Sequence, residues 1–127
     1  MPSSLKDLLA AANLSVPKIG RQEAAAMIAD GNVLVIDVRD GLEIQNTGKI
    51  RGAMHVTRGM LEFRADPESP YHDRAFDRNK TVLVYCASGG RSALAGKTLL
   101  DLGYKDVRNL GGFKDWVEGG GAVEDIG

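Results

Sequence analysis

The sequence predicts an α/β fold built on a largely parallel sheet, and two observations carry that reading. Strand-like and helix-like patterns alternate along the chain. The two strongest strands, Val33-Leu34-Val35-Ile36 and Thr81-Val82-Leu83-Val84-Tyr85, are unbroken β-branched and aliphatic runs, as suits strands covered on both faces.

Each element has its own signal. Residues 1–16 read as an amphipathic helix with Leu5, Leu8, Leu9 and Ala12 on one face and Ser3 or Ser4 as its cap. Such a helix packs on the domain surface or against another subunit. Pro17 ends it, and Lys18-Ile19 is expected to form a short first strand. A second helix at 22–30 stops at Gly31. A weak helix follows the first strong strand at 40–46, then a short strand at 53–56 and a helical stretch at 58–66. Two prolines make 66–72 a loop. The helix at 92–102 carries Ala95, Leu99 and Leu102 at core spacing, and Gly103 is placed to end it. A last strand at 107–110 and a last helix at 113–118 precede the glycines 119–121, read as a flexible segment. The expected organisation is an N-terminal helical extension over 1–17, one domain over 18–123 and a flexible tail over 124–127.

Composition narrows the function classes. The chain has 127 residues, enough for one domain with a real core. Sixteen basic residues nearly cancel seventeen acidic ones, so no long-range field favours nucleic acid or an anionic membrane. No apolar run approaches the roughly 20 residues that cross a bilayer, and residues 1–7 lack the pattern of a secretory signal. The expected location is cytoplasmic. One cysteine excludes an internal disulfide framework and a multi-cysteine metal site. His55 and His72 lie far apart with no ligand pattern, so no metal and no cofactor is expected.

That single cysteine stands at the carboxyl end of the strongest central strand, where open α/β sheets bind ligands. Cys86-Ala87-Ser88-Gly89-Gly90-Arg91-Ser92 then leads into a helix. Gly89 and Gly90 let the chain curl so that successive backbone N–H groups point inward as an anion-binding nest. The helix N-terminus adds unpaired donors and the positive end of its dipole. Arg91 adds a permanent charge at the rim, and Ser88 and Ser92 offer hydroxyls, Ser92 as a helix cap. A cysteine in that field is expected to be a thiolate.

This loop resembles the active-site loop of single-domain rhodanese-like sulfurtransferases. Three further segments match that family in order: Ile36-Asp37-Val38-Arg39 with Glu43; Gly48-Lys49-Ile50-Arg51-Gly52-Ala53-Met54-His55-Val56; and Leu110-Gly111-Gly112-Phe113 with Trp116. Lys49 and Arg51 replace the family's usual histidine and proline, and both read as surface choices. The resemblance implies a rhodanese-like three-layer fold with a mostly parallel five-stranded central sheet flanked by helices. It implies Cys86 as a persulfide carrier and residues 87–92 (Ala87, Ser88, Gly89, Gly90, Arg91, Ser92) as the substrate-binding loop. By the same resemblance Arg58 lies on the active-site side, where it either meets an anionic donor or makes a structural ion pair. Asp37 and Arg39 read as structural support, because a carboxylate and a guanidinium at a strand end commonly pair. The insert from Arg58-Gly59-Met60-Leu61-Glu62-Phe63 through Tyr71-His72 is longer than in the smallest members and is expected to cover the active-site mouth and shape substrate choice.

The implied partners are a small anionic sulfur donor such as thiosulfate and a thiol or cyanide acceptor, with a protein acceptor left open. Two other readings compete. A persulfide relay or sensor would act with a protein partner and turn over small molecules poorly. A cysteine-dependent phosphatase would use a similar nest, but those enzymes place five residues between cysteine and arginine and need a general acid. Here four residues lie between Cys86 and Arg91, and no acid stands out.

Overall fold

The two hydrophobic runs form the middle of the sheet. In the computed structural model, which describes residues 2–126, the elements are α1 (Leu5–Ser15), α2 (Arg21–Asp30), β1 (Val33–Asp37), α3 (Gly41–Thr47), β2 (Lys49–Ile50) and β3 (Met54–His55). A 3-10 turn at Arg58–Met60 runs into α4 (Leu61–Ala65), followed by β4 (Thr81–Cys86), α5 (Gly90–Asp101), β5 (Asp106–Gly112), α6 (Phe113–Glu118) and β6 (Val123–Glu124). Met1, at the start of the expected first helix, and Gly127, at the end of the expected tail, lie outside the described residues.

The main sheet has the order β3-β1-β4-β5 with every pairing parallel. The expected fifth strand contracts to one parallel bridge between Lys18 and Asn109. Asn109 N–H donates to the Pro17 carbonyl at 2.8 Å, and Ile19 N–H donates to the Asn109 carbonyl at 3.1 Å. Proline has no N–H of its own to extend the ladder there.

Helices cover both faces, giving three layers. Side chains alternate along β4: Val82, Val84 and Cys86 join the core beneath α5, while Leu83 and Tyr85 join the opposite core with Trp116 and Phe113. This alternation places the thiol under α5, so the chain leaving β4 turns back over its own sulfur.

Ser4 caps α1 through a reciprocal box with Asp7. The helix docks through its C-terminal end: Ala12 and Val16 are buried against α5, but Leu5 and Leu8 stay 64% and 50% exposed. Gly96 permits that docking, since a Cβ there would lie 2.8 Å from a Val16 methyl.

The chain end differs from expectation. Glu124 pairs with Lys49 in the antiparallel β2-β6 ribbon, and the Lys49 ammonium bonds its carboxylate. Lys49 is therefore a tether rather than a loose surface residue; it also donates to the Ala53 carbonyl at 2.6 Å. Trp116 folds the glycine segment back, accepting from Gly121 N–H at its carbonyl and donating from its indole to the Ala122 carbonyl, both at 2.9 Å. Among the described residues, no helix is long and apolar enough to cross a membrane.

Candidate active site

Cys86 ends β4 with 1% of its surface exposed. Gly89 is the N-cap of α5 and adopts φ 104°, a left-handed conformation that glycine tolerates without a Cβ clash. That turn aims the Gly89 N–H at Cys86 Sγ, 3.0 Å away. The Ser92 hydroxyl lies 3.4 Å from the same sulfur. Burial pushes the thiol pKa up, but the Ser92 hydroxyl and the backbone N–H groups of Ser92, Gly89 and Ser88 outweigh it and leave the pKa lowered.

Because α5 begins at Gly90, Ser92 is its third residue and not its cap. Its hydroxyl turns inward, 3.1 Å from the Gly89 carbonyl and 2.8 Å from Asn109 Oδ1. Ala87 seats the loop on β5. A Cβ at Gly112 would lie 2.6 Å from the Ala87 carbonyl oxygen, so that position has room only for glycine.

Arg91 is not a free rim charge. Its guanidinium makes a two-pronged ion pair with Glu43 on α3, at 2.8 and 2.9 Å. The pair holds the Glu43 carboxyl down to about 2 and raises the Arg91 pKa. Arg58 is likewise engaged, donating to Glu62 and to Thr98 Oγ1, each at 3.0 Å. Arg91 and Arg58 thus both face protein partners, the ion pair being one of the two readings open for Arg58, and the donors that reach the sulfur are the Gly89 N–H and the Ser92 hydroxyl.

Asp37 and Arg39 form a buried ion pair at 2.8 Å. Arg39 also donates to Thr47 Oγ1 at 2.9 Å and to the Gly48 carbonyl at 2.8 Å, and its guanidinium stacks 4.2 Å from the Phe113 ring centre. One guanidinium thereby ties β1, the end of α3 and the start of α6 beneath the loop. His55 Nε2 lies 2.7 Å from the Arg39 carbonyl. Among the described residues, no group of three His, Cys, Asp or Glu side chains gathers as a metal site.

Two clefts flank the loop. One, of about 410 Å³, runs between α1 and the outer side of Ser88, Gly89 and Gly90; the other, of about 270 Å³, lies between Ala87, Glu43 and Phe113. Neither is lined by Cys86. The insert packs Met60, Leu61 and Ala65 into the core under α5 and leaves Phe63 and Tyr71 exposed as an edge-to-face pair.

The family model for the rhodanese-like domain matches residues 20–119. The chain belongs to the rhodanese-like domain family. Among curated relatives of this rhodanese-like chain, the thiosulfate sulfurtransferase GlpE of Coxiella burnetii is 31% identical, over 78% of this chain and 85% of its own length. YrkF of Bacillus subtilis, named as a candidate sulfur carrier protein, is 29% identical over 81% of this chain. The chain spans only about half, 52%, of YrkF. A solved structure from Rhodopseudomonas palustris is 43% identical with a TM-score of 0.88, covering 98% of this chain and 99% of its own. That protein is described as one of unknown function and a possible tyrosine phosphatase. That match reaches beyond the family domain, which leaves α1 outside its bounds.

Two residues that organise this site were not assigned a role from sequence, Glu43 as the partner of Arg91 and Asn109 as the partner of Ser92. Asn109 had a visible signal: it is a polar side chain two positions from Val107, on the face of β5 that turns toward the core.

Proposed function

We propose that this chain is a sulfurtransferase that carries sulfane sulfur as a persulfide on Cys86. The observation that carries the reading is the convergence of the Gly89 N–H, at 3.0 Å, and the Ser92 hydroxyl, at 3.4 Å, on one sulfur atom inside a short ring. Donors so placed stabilise negative charge on sulfur, both in the thiolate and in the terminal atom of a persulfide. The family membership, the sulfurtransferase name of GlpE and the sulfur-carrier name of YrkF support the same chemistry.

The exchange has two steps. The Cys86 thiolate attacks the outer sulfur of thiosulfate, forming a new S–S bond. The bond to the sulfonate breaks, and its electron pair leaves with sulfite. A thiolate or cyanide then attacks the terminal sulfur, takes it as a persulfide or thiocyanate, and returns the Cys86 thiolate. No net oxidant or reductant is required. Arg91 acts in this reading by holding the loop through Glu43, while residues 87–92 enclose the transferred atom.

The phosphatase activity suggested for the Rhodopseudomonas protein fits this chain less well. Glu43, the carboxyl bonded to the loop, is held down to about 2 and carries no proton to donate at neutral pH. The four-residue spacing also makes a tighter ring, and Cys86 is 1% exposed, which favours a small donor over a phosphorylated side chain. Steady-state transfer from thiosulfate to cyanide tests the proposal: sustained turnover that is lost in Cys86→Ser is expected. Stoichiometric loading without turnover would instead mark a relay, and hydrolysis of an aryl phosphate would mark a phosphatase.

A further inference from the structure

The Ser92 hydroxyl has one proton and three acceptors within reach: the Gly89 carbonyl at 3.1 Å, Asn109 Oδ1 at 2.8 Å and Cys86 Sγ at 3.4 Å. Which of them receives the proton decides whether the hydroxyl supports a negative sulfur. Asn109 enters twice. Its Nδ2 donates to the Gly89 carbonyl at 3.1 Å, and its Oδ1 accepts the Gly111 N–H at 2.9 Å. These two bonds fix which way the carboxamide faces. The Gly89 carbonyl also accepts the Ala93 N–H at 3.0 Å. With two N–H donors on its two lone pairs, that carbonyl no longer needs the serine proton. Asn109 Oδ1 likewise keeps Gly111 as a donor when the serine turns away.

The backbone supports this arrangement. The β4-β5 register shifts just after the Val84–Asn109 pair, so that Tyr85 faces Gly111. The bulge lies beside the Asn109 side chain, whose Oδ1 accepts the Gly111 N–H.

We propose that Asn109 is a positioning residue, which saturates the Gly89 carbonyl and so frees the Ser92 hydroxyl to donate to the sulfur of Cys86. The proposal rests on the sulfur-transfer reading for its purpose, though its test does not. When the sulfur is a thiolate or a persulfide anion, the hydroxyl swings its proton from Oδ1 to that sulfur, and no buried acceptor loses its last donor. The charged groups around the thiol are already paired: Arg91 with Glu43, with Asp40 nearby at the start of α3; Arg39 with Asp37; and Arg58 with Glu62. A neutral substitution at Asn109 therefore changes the proton's direction without changing any charge.

The test is a double-mutant cycle read by thiol alkylation rate against pH. In Asn109→Leu, of similar size, and in Asn109→Ala, the Gly89 carbonyl recaptures the serine proton. The alkylation midpoint is expected to move up by about one unit, a tenfold loss of thiolate below the midpoint. In a Ser92→Ala background the same changes are expected to move it no further. An unshifted midpoint in the single variants, or an equal shift with and without Ser92, would overturn the proposal. The second of those results would assign Asn109 to loop structure alone. If one variant does not fold, the other completes the cycle. A wild-type thiol with an ordinary midpoint would instead count against the activated cysteine itself, which separates the two failures.

Discussion

Cys86 owes its expected reactivity to two opposed effects at one atom. Burial disfavours the thiolate, while the Ser92 hydroxyl and the inward N–H groups of Ser92, Gly89 and Ser88 favour it, and the second effect wins. The alkylation rate should therefore level off at lower pH than for an ordinary thiol, with a midpoint absent in Cys86→Ser. The linked effect on folding has a definite sign. With the folded pKa below the unfolded one, the thiolate stabilises the fold fully above the unfolded value, and this stabilisation is lost as pH falls through the folded value. Urea unfolding across that window should show the trend in the wild type and a flat response in Cys86→Ser. At this scale the sequence marked Cys86 as the candidate nucleophile, because it is a lone cysteine at a strand end before two glycines, and the structure places it where loop donors converge. Glu43 as the partner of Arg91 and Thr98 as the second partner of Arg58 were not legible. Glu43 and Thr98 are 48 and 40 positions away from them, and only the packing of helices brings them into contact.

Element by element, the loop is held between α3 and α5 by the Glu43–Arg91 ion pair and against β5 by the absence of a side chain at Gly112. The ion pair gives an acid-side signature. Arg91 holds the Glu43 carboxyl down to about 2 from an ordinary 4.5, so the pair's contribution is complete above about 4.5 and fades as pH falls toward about 2. Both side chains are about one-third exposed, which keeps that contribution small. Glu43→Gln should flatten the acid limb of a thermal-stability profile in this window. It should also slow sulfur transfer at neutral pH, because the freed Arg91 no longer fixes the loop. The long strands and helices were readable from periodicity. The β2-β6 ribbon was not: each strand has two residues, and the pairing of Lys49 with Glu124 depends on the Trp116 fold-back.

For the whole molecule, the buried Asp37–Arg39 pair is the joint that keeps sheet, α3 and α6 in one arrangement below the loop. Removing one partner leaves the other buried and unpaired. Arg39→Ala should therefore destabilise the domain by about 3–5 kcal/mol, read as a lower urea midpoint with an unchanged slope. The three-layer α/β architecture was legible because aliphatic runs and helical periods alternate, a pattern that few folds satisfy. The docking of α1 was legible only in part, since the small surfaces of Ala12 and Gly96 contribute more to it than Leu5 and Leu8. The proposed function depends on Cys86 holding a sulfur atom. Intact mass spectrometry after incubation with thiosulfate measures that directly. The prediction is a gain of one sulfur atom by the wild type, reversed by a reducing thiol and absent in Cys86→Ser. A folded wild-type protein whose mass stays unchanged would contradict it.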